Sequence, residues 1–281
     1  MPDDESIEIN SFGLTHIGKV RNDNQDSFRL CDPNDEYTKY HGYLFGIADG
    51  MGGYAHGGIA STTALDTFFE TFYSANGAAV TQKIRVGMQN ANLSVYQTAQ
   101  RIGAGKMGTT LTAVNIIGKN LFIGHIGDSR AYLIRNNEFT CLTNDHTQVG
   151  ELVRMKILTP DKVRTHSQRS ILDKSLGLKL FIQPDIFKTT VQNNDLLILC
   201  TDGIWSVIQD DEFVKYAKVT NNPERLSSLI INMAMDRDSD DNLSIIVIEL
   251  KKLSNSNNVD EKKQILNMAN LFRIFGKHNN K

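Results

Sequence analysis

The residues best placed to do chemistry lie in four short acidic motifs spread along the chain. They are Arg21-Asn22-Asp23-Asn24-Gln25-Asp26, Asp49-Gly50-Met51-Gly52-Gly53, Asp202-Gly203 and Asp241-Asn242. Each sets an Asp at the edge of an apolar, β-like run: Asp202 closes residues 196–201, and Asp241 precedes residues 243–250. A carboxylate at such an edge points out of a rigid sheet, and several together suit hard divalent cations. One Asp-Gly is only a turn signal. Four motifs in order carry more.

The elements that must hold these carboxylates are legible as runs and periods. Residues 11–17, 42–48, 109–117, 120–126, 131–135, 186–190, 195–200 and 243–250 read as strands. Asn136-Asn137 and Gly118-Lys119-Asn120 fall between such runs as hairpin turns do, so the pairing is expected to be mainly antiparallel. Helical patterns cover residues 58–73 with 78–101, and 210–216 with 223–236. In the first pair Leu65, Phe68, Phe69 and Phe72 recur at helical spacing and give a face to press on a sheet. Periodicity alone stops at a mixed α and β domain, a sheet pair with helices outside it.

In the order and spacing of its motifs the chain resembles the bacterial branch of the PP2C (PPM) family of metal-dependent serine/threonine protein phosphatases. Segments 13–28, 44–61, 108–114, 123–134, 142–153, 198–207 and 240–248 carry the resemblance. It implies an α+β fold, a PP2C-like α-β-β-α sandwich of two mainly antiparallel sheets flanked by helix pairs. It also implies hydrolysis of phosphoserine and phosphothreonine on proteins by direct attack of a hydroxide bridging two Mn2+ or Mg2+ ions. By the same resemblance Asp49 bridges the two metals, while the Gly50 carbonyl, Asp202 and Asp241 complete the protein ligands. Arg21 binds the phosphate, which suits the forked donors of a guanidinium. Asp26 stands behind the metal waters, and Asp128, in Gly127-Asp128-Ser129-Arg130, serves a third, weaker metal. Small Gly50, Gly52 and Gly53 let backbone approach closely.

The chain departs from the family pattern at three positions. Gln25 is neutral where some relatives are acidic. Met51 replaces a His that is a candidate general acid in animal members, and a thioether donates no proton, so a water or another residue must serve the leaving oxygen. Ser206 stands where some relatives carry Asp, which weakens the case for the third metal.

Other motifs are decoys. Gly103-Ala104-Gly105-Lys106-Met107-Gly108 fits a dinucleotide-binding pattern, but a helical stretch precedes it and a strand follows, the reverse of what that fingerprint needs. His125 and His146 have no zinc-like spacing, and His125 reads as a packed strand residue. None of Cys31, Cys141 and Cys200 has an Arg six residues on, as a cysteine-based phosphatase loop requires. The odd, unclustered trio gives no disulfide framework.

The chain of 281 residues carries a formal charge of −2 and a sequence pI near 6.4, giving no general reason to bind nucleic acid or an acidic membrane. The charge is unevenly placed, with residues 251–281 at +5 and the remainder at −7. The resemblance runs to about residue 250, so residues 1–250 read as one phosphatase domain, and the resemblance implies a flap at about residues 147–180. Residues 251–281 read as a basic tail with a polar linker and an amphipathic helix bearing Ile265, Met268, Ala269 and Phe272. That helix either packs on its own domain, docks a partner or lies on a membrane surface. No run approaches a membrane span, the N-terminus is acidic where a secretory signal is basic, and a cytoplasmic monomer is expected. The expected partners are phosphorylated proteins and the Ser/Thr kinase that the enzyme opposes. Two alternatives stay open: a catalytically weak module that binds phosphoproteins, and a phosphatase of small phosphate esters.

Overall fold

The computed structural model describes residues 7–52 and 56–253. In chain order its elements are β1 (Glu8–His16), β2 (Asp26–Leu30), α1 (Glu36–His41), β3 (Tyr43–Gly52), α2 (His56–Ser74), α3 (Val80–Ile102), β4 (Met107–Thr109), β5 (Leu111–Ile117), β6 (Asn120–Ile126) and β7 (Arg130–Arg135). There follow β8 (Glu138–Cys141), α4 (Gln148–Arg154), a 3-10 turn at Pro160–Lys162, β9 (Asp185–Thr190), β10 (Asp195–Cys200), α5 (Asp202–Trp205), α6 (Asp210–Val219), α7 (Pro223–Asp236) and β11 (Leu243–Lys252). One sheet runs β1-β11-β10-β7-β8 and the other β2-β3-β5-β6-β9, with β4 on the end of β3. Every pairing among them is antiparallel.

Both faces of each sheet are buried, and the period of two sorts the side chains. On β10, Leu197 and Leu199 face the other sheet, where they meet Phe45, Ile47, Val114 and Ile123. Leu196, Ile198 and Cys200 face outward to Trp205, Phe213, Leu226 and Ile230 of the α5–α7 layer. On the far side α2 and α3 cover the second sheet through Leu65, Phe68, Phe69, Phe72, Ile84, Met88 and Val95. The result is the four-layer α-β-β-α sandwich, and the Leu65–Phe72 face packs as expected.

The local signals behave as their chemistry demands. Asn136 and Asn137 both take positive φ, 50° and 66°, as a two-residue hairpin between β7 and β8 requires. Helix α3 ends on Gly103 in the left-handed region, and β4 follows, so the glycine-rich decoy is a helix-to-strand connection. Several short elements went unread in the sequence, among them β2, α1, β8, α4 and α5. Each is short, and β2 and β8 mix charged and polar residues with few apolar ones, so no run announces them. Between residues 147 and 180 the described structure is α4, the 3-10 turn and irregular backbone, in keeping with the weak strand character there. Gly53 and residues 254–281, with the tail helix read in them, lie outside the described residues.

Candidate metal centre

The cleft is built where strands of the two sheets end together. Asp26 opens β2 and pairs across the ladder with Asp49 near the end of β3. Asp202 follows β10, Asp241 precedes β11, and Asp128 sits in the β6–β7 turn. Asp49, Gly50, Asp128, Asp202, Asp241 and Arg21 line one cleft of about 890 Å³. Ser206 is not among its lining residues, although it follows Asp202 by one helical turn. Asp26 stands behind the lining, 7% exposed.

Backbone contacts fix the two central motifs. The Asp49 amide donates to Thr110 Oγ1 (2.8 Å), and the Asp49 carbonyl accepts from the Thr110 amide and Thr109 Oγ1, both at 2.8 Å. The Gly50 amide donates to the Gln25 carbonyl, and a Cβ at Gly50 would strike the Gly57 carbonyl at the start of α2. A side chain at position 50 is therefore sterically excluded. Thr201 Oγ1 donates to Asp26 Oδ2 at 2.8 Å, tying β10 to β2 across the sheets. Asn242, almost fully buried, sends Nδ2 to the Ile17 and Asp23 carbonyls (2.8 and 3.0 Å), while its Oδ1 accepts from the Gln25 amide. Its own amide donates to Asp241 Oδ1. One amide side chain thus anchors the loop that carries Arg21 to the strand that carries Asp241.

The electrostatics are one-sided. Asp23, Asp49, Asp128, Asp202, Asp240 and Asp241 line the cleft, and among the described lining residues Arg21 alone is cationic. Arg21 stands at the rim, with Nη2 on Asp241 Oδ2 at 2.7 Å and Nε on the Asp240 carbonyl at 3.1 Å. Withdrawal from water, then the facing charges of Asp26, Asp202, Asp128 and Asp241, hold the Asp49 carboxyl well above the usual range. Burial, with Asp241 next, pushes Asp202 to about 6. Burial pushes Asp26 to about 7 against the pull of hydrogen bonds from Ser244 and Thr201. Asp128 is raised by burial, then by Asp202 and Asp145.

This donor set fits divalent cations. Its atoms are hard oxygens throughout, and the buried Asp202 Oδ1 has no hydrogen-bond partner. No three or more His, Cys, Asp or Glu side chains form a ready-made cage among the described residues. Such a site holds ions with a few carboxylates, a backbone carbonyl and waters, as Mg2+ prefers.

A second group of residues supports the Asp128 turn, and of these only the packing of His125 was read from the sequence. The His146 amide donates to the Gly127 carbonyl (2.8 Å), and the Gly127 amide donates back to His146 Nδ1 (3.1 Å). His146 stacks on His125 with ring centroids 4.8 Å apart, and His125 bonds Thr112 Oγ1 and the Asn144 carbonyl. Burial lowers His125 to about 4, so it is neutral and packed, as its strand position suggested. Trp205 Nε1 donates to the Asp128 carbonyl at 2.9 Å, and the Arg130 guanidinium lies 3.7 Å over the indole. The partners come from β6, β7, α5 and the segment after β8, a convergence that local sequence does not signal.

Fold and cleft together define a class: a double-sheet sandwich with an acidic, all-oxygen site at the strand ends, suited to cation-assisted hydrolysis of phosphate esters. The profile of the protein phosphatase 2C family matches residues 10–243, and the chain belongs to that family. It is 34% identical over 207 residues to the protein phosphatase PhpP of Streptococcus pneumoniae, covering 71% of this chain and 80% of PhpP. Among solved structures it resembles the PPM Ser-Thr phosphatase MsPP of Mycobacterium smegmatis in complex with cacodylate, with a TM-score of 0.75 and 32% identity over 86% of this chain and 98% of that one. The catalytic domain of the phosphatase PstP in complex with two manganese ions matches with a TM-score of 0.75 and 25% identity, covering 88% of this chain and all of that one. No helix among the described residues is long and apolar enough to cross a membrane.

Proposed function

We propose that this serine/threonine protein phosphatase holds two Mn2+ or Mg2+ ions with Asp49, the Gly50 carbonyl, Asp202 and Asp241, and removes phosphate from phosphoproteins in one step. The observation that carries the reading is the surplus of cleft carboxylates over a single rim arginine, with Asp202 Oδ1 left without a partner. When bound, a pair of divalent ions neutralises phosphoryl oxygens and supplies an activated water at neutral pH. Asp49 would serve both ions; it shares one cleft with Asp202, Asp128 and Asp241 and pairs across the ladder with Asp26. Asp26, held by Thr201, accepts hydrogen bonds from waters behind the site and fixes their orientation. Asp128 holds a third, weaker ion.

Arg21 positions the substrate phosphate from the cleft rim, where its guanidinium already bridges the Asp240 carbonyl and Asp241. No Cys or His lines the described cleft, whose two hydroxyl side chains are Thr110, engaged by Ser129 and the Asp49 amide, and Ser170; the reading takes water as the attacking group. Met51 lines the cleft and donates no proton, so the leaving oxygen takes its proton from a water or another residue.

The phosphatase unit covers residues 1–250 with a flap at about residues 147–180, and the basic tail 251–281 packs on that unit or docks a partner. The enzyme opposes a Ser/Thr kinase in the cytoplasm. Phosphoproteins are favoured over small phosphate esters because the cleft, at about 890 Å³, has room for residues beside the phosphoresidue. Release of inorganic phosphate from a phosphothreonine peptide, with EDTA, Mg2+ or Mn2+ and beside Asp49→Asn, tests the reading. Metal-dependent release absent from the variant is expected. No release under any metal from folded protein would move the assignment to a phosphoprotein-binding module.

A further inference from the structure

The chain between Leu176 and Ile182 is pinned at the backbone yet turns its large apolar side chains to water. Leu176 is buried among α2 and α3 residues, and its amide and carbonyl pair with Thr109 on β4, the strand that continues β3 beside Gly50. A Cβ at Gly177 would strike Val95, so the chain lies flat on α3. The fully buried Asn92 accepts from the Gly177 amide (2.9 Å) and donates to the Lys179 and Leu180 carbonyls (2.8 and 3.1 Å). Gln89 donates to the Leu180 carbonyl and accepts from the Ile182 amide. Between these anchors Leu178, Leu180 and Phe181 are 44%, 50% and 81% exposed.

A loop held by five hydrogen bonds from one helix has little freedom to fold its side chains away. Three large apolar residues displayed together on such a rigid base mark a contact surface. The surface continues into the catalytic cleft, because Leu178 lines that cleft together with Leu172. A protein substrate with its phosphoresidue in the cleft must lay its neighbouring residues across an adjacent rim. We infer that the Leu178–Leu180–Phe181 ledge binds apolar residues flanking the phosphoresidue of a protein substrate, and so sets a sequence preference for this phosphatase.

The inference rests on the proposed function, and one set of assays separates the two. Two phosphothreonine peptides of the same sequence, flanked by leucines or by serines, are compared with p-nitrophenyl phosphate, using the full chain with Mn2+. The leucine-flanked peptide is expected to show a higher kcat/KM through a lower KM. Phe181→Ser should remove about tenfold of that kcat/KM, the scale of losing one apolar contact. Turnover of the serine-flanked peptide and of p-nitrophenyl phosphate should stay unchanged. Leu180→Ser should act in the same direction, and both side chains are exposed, so folding is not at stake. Equal kcat/KM for the two peptides would overturn the ledge while leaving the phosphatase intact. So would equal loss on all three substrates, or an effect of Phe181→Ser confined to the mass in solution, which would make the ledge a contact between copies of this chain. Absence of metal-dependent release from any of the three would remove both readings.

Discussion

Two neighbouring regions bury charge in opposite ways. Beneath the cleft, Arg130 makes a two-pronged ion pair with Asp145 at 2.9 and 2.7 Å, touches the Tyr132 hydroxyl and stacks on Trp205. Charge there is balanced within the chain. In the cleft, six aspartates face one exposed arginine; burial and then neighbouring carboxylates hold Asp49, Asp128 and Asp202 above the usual range, while Asp23 and Asp240 lie exposed. The first arrangement is complete and serves as framework, since its indole also holds the Asp128 carbonyl. The second is incomplete without added cations. A buried surplus of one charge sign costs stability that the fold does not recover by itself, and that imbalance marks the working site.

The comparison breaks most visibly at Asp49. Asp49→Asn is expected to lower phosphate release by about three orders of magnitude or more, the scale on which a catalytic group acts. In EDTA the same variant should melt a few degrees higher than the parent, because a repelling charge is gone. A calorimetric scan that shows it melting lower would contradict the surplus-charge account. In the balanced region the sign reverses. Arg130→Met strands Asp145, 6% exposed at its side chain, and should cost about 3–5 kcal/mol in denaturant unfolding. The double replacement Arg130→Met with Asp145→Leu should recover much of that loss; if it does not, the pair is more than self-compensating.

Arg21→Ala should raise KM for a phosphopeptide about tenfold, on the scale of one charge-assisted hydrogen bond. It should not weaken Mn2+ binding measured by titration calorimetry, since the guanidinium competes for Asp241. Weaker metal binding would give Arg21 a different role.

The smallest effect is a pH slope. Asp202 and Asp26 have folded pKa values raised from 3.8 to about 6 and about 7, so the metal-free native state holds protons more tightly than the unfolded chain. Their contribution is fully present below about pH 4 and is lost as pH rises through 6 and 7. In EDTA, the melting temperature of the parent relative to an Asp26→Asn, Asp202→Asn double variant should therefore fall across that window. A constant difference would show that the carboxylates do not repel as described.

The site's acidic residues were legible before the fold because each sits beside an apolar run that had to be a strand. Asp49, Asp202 and Asp241 needed only the rule that strand ends project their flanking residues, together with family resemblance for their roles. Asn242 was visible only as the neighbour of Asp241, and nothing in its spacing foretold three backbone partners on the loop from Ile17 to Gln25. Thr201 and Asp26 lie 175 positions apart, and Trp205 and Asp128 lie 77 apart. Strands β2 and β8 escaped because they carry charge and few apolar residues, while Pro223–Asp236 was read with its bounds intact from its helical pattern.

By itself the sequence determined the strands and paired helices, the antiparallel hairpins and the acidic character of the site, because hydrophobic period, turn chemistry and residue type are local properties. Only the tertiary structure decided which carboxylates share a cleft, which arginine is already spent on Asp145 and which stands at the cleft rim, and that Leu178, Leu180 and Phe181 are held outward. Those outcomes depend on packing between residues far apart in the chain, where burial and the sum of neighbouring charges, rather than residue type, set what a side chain can do.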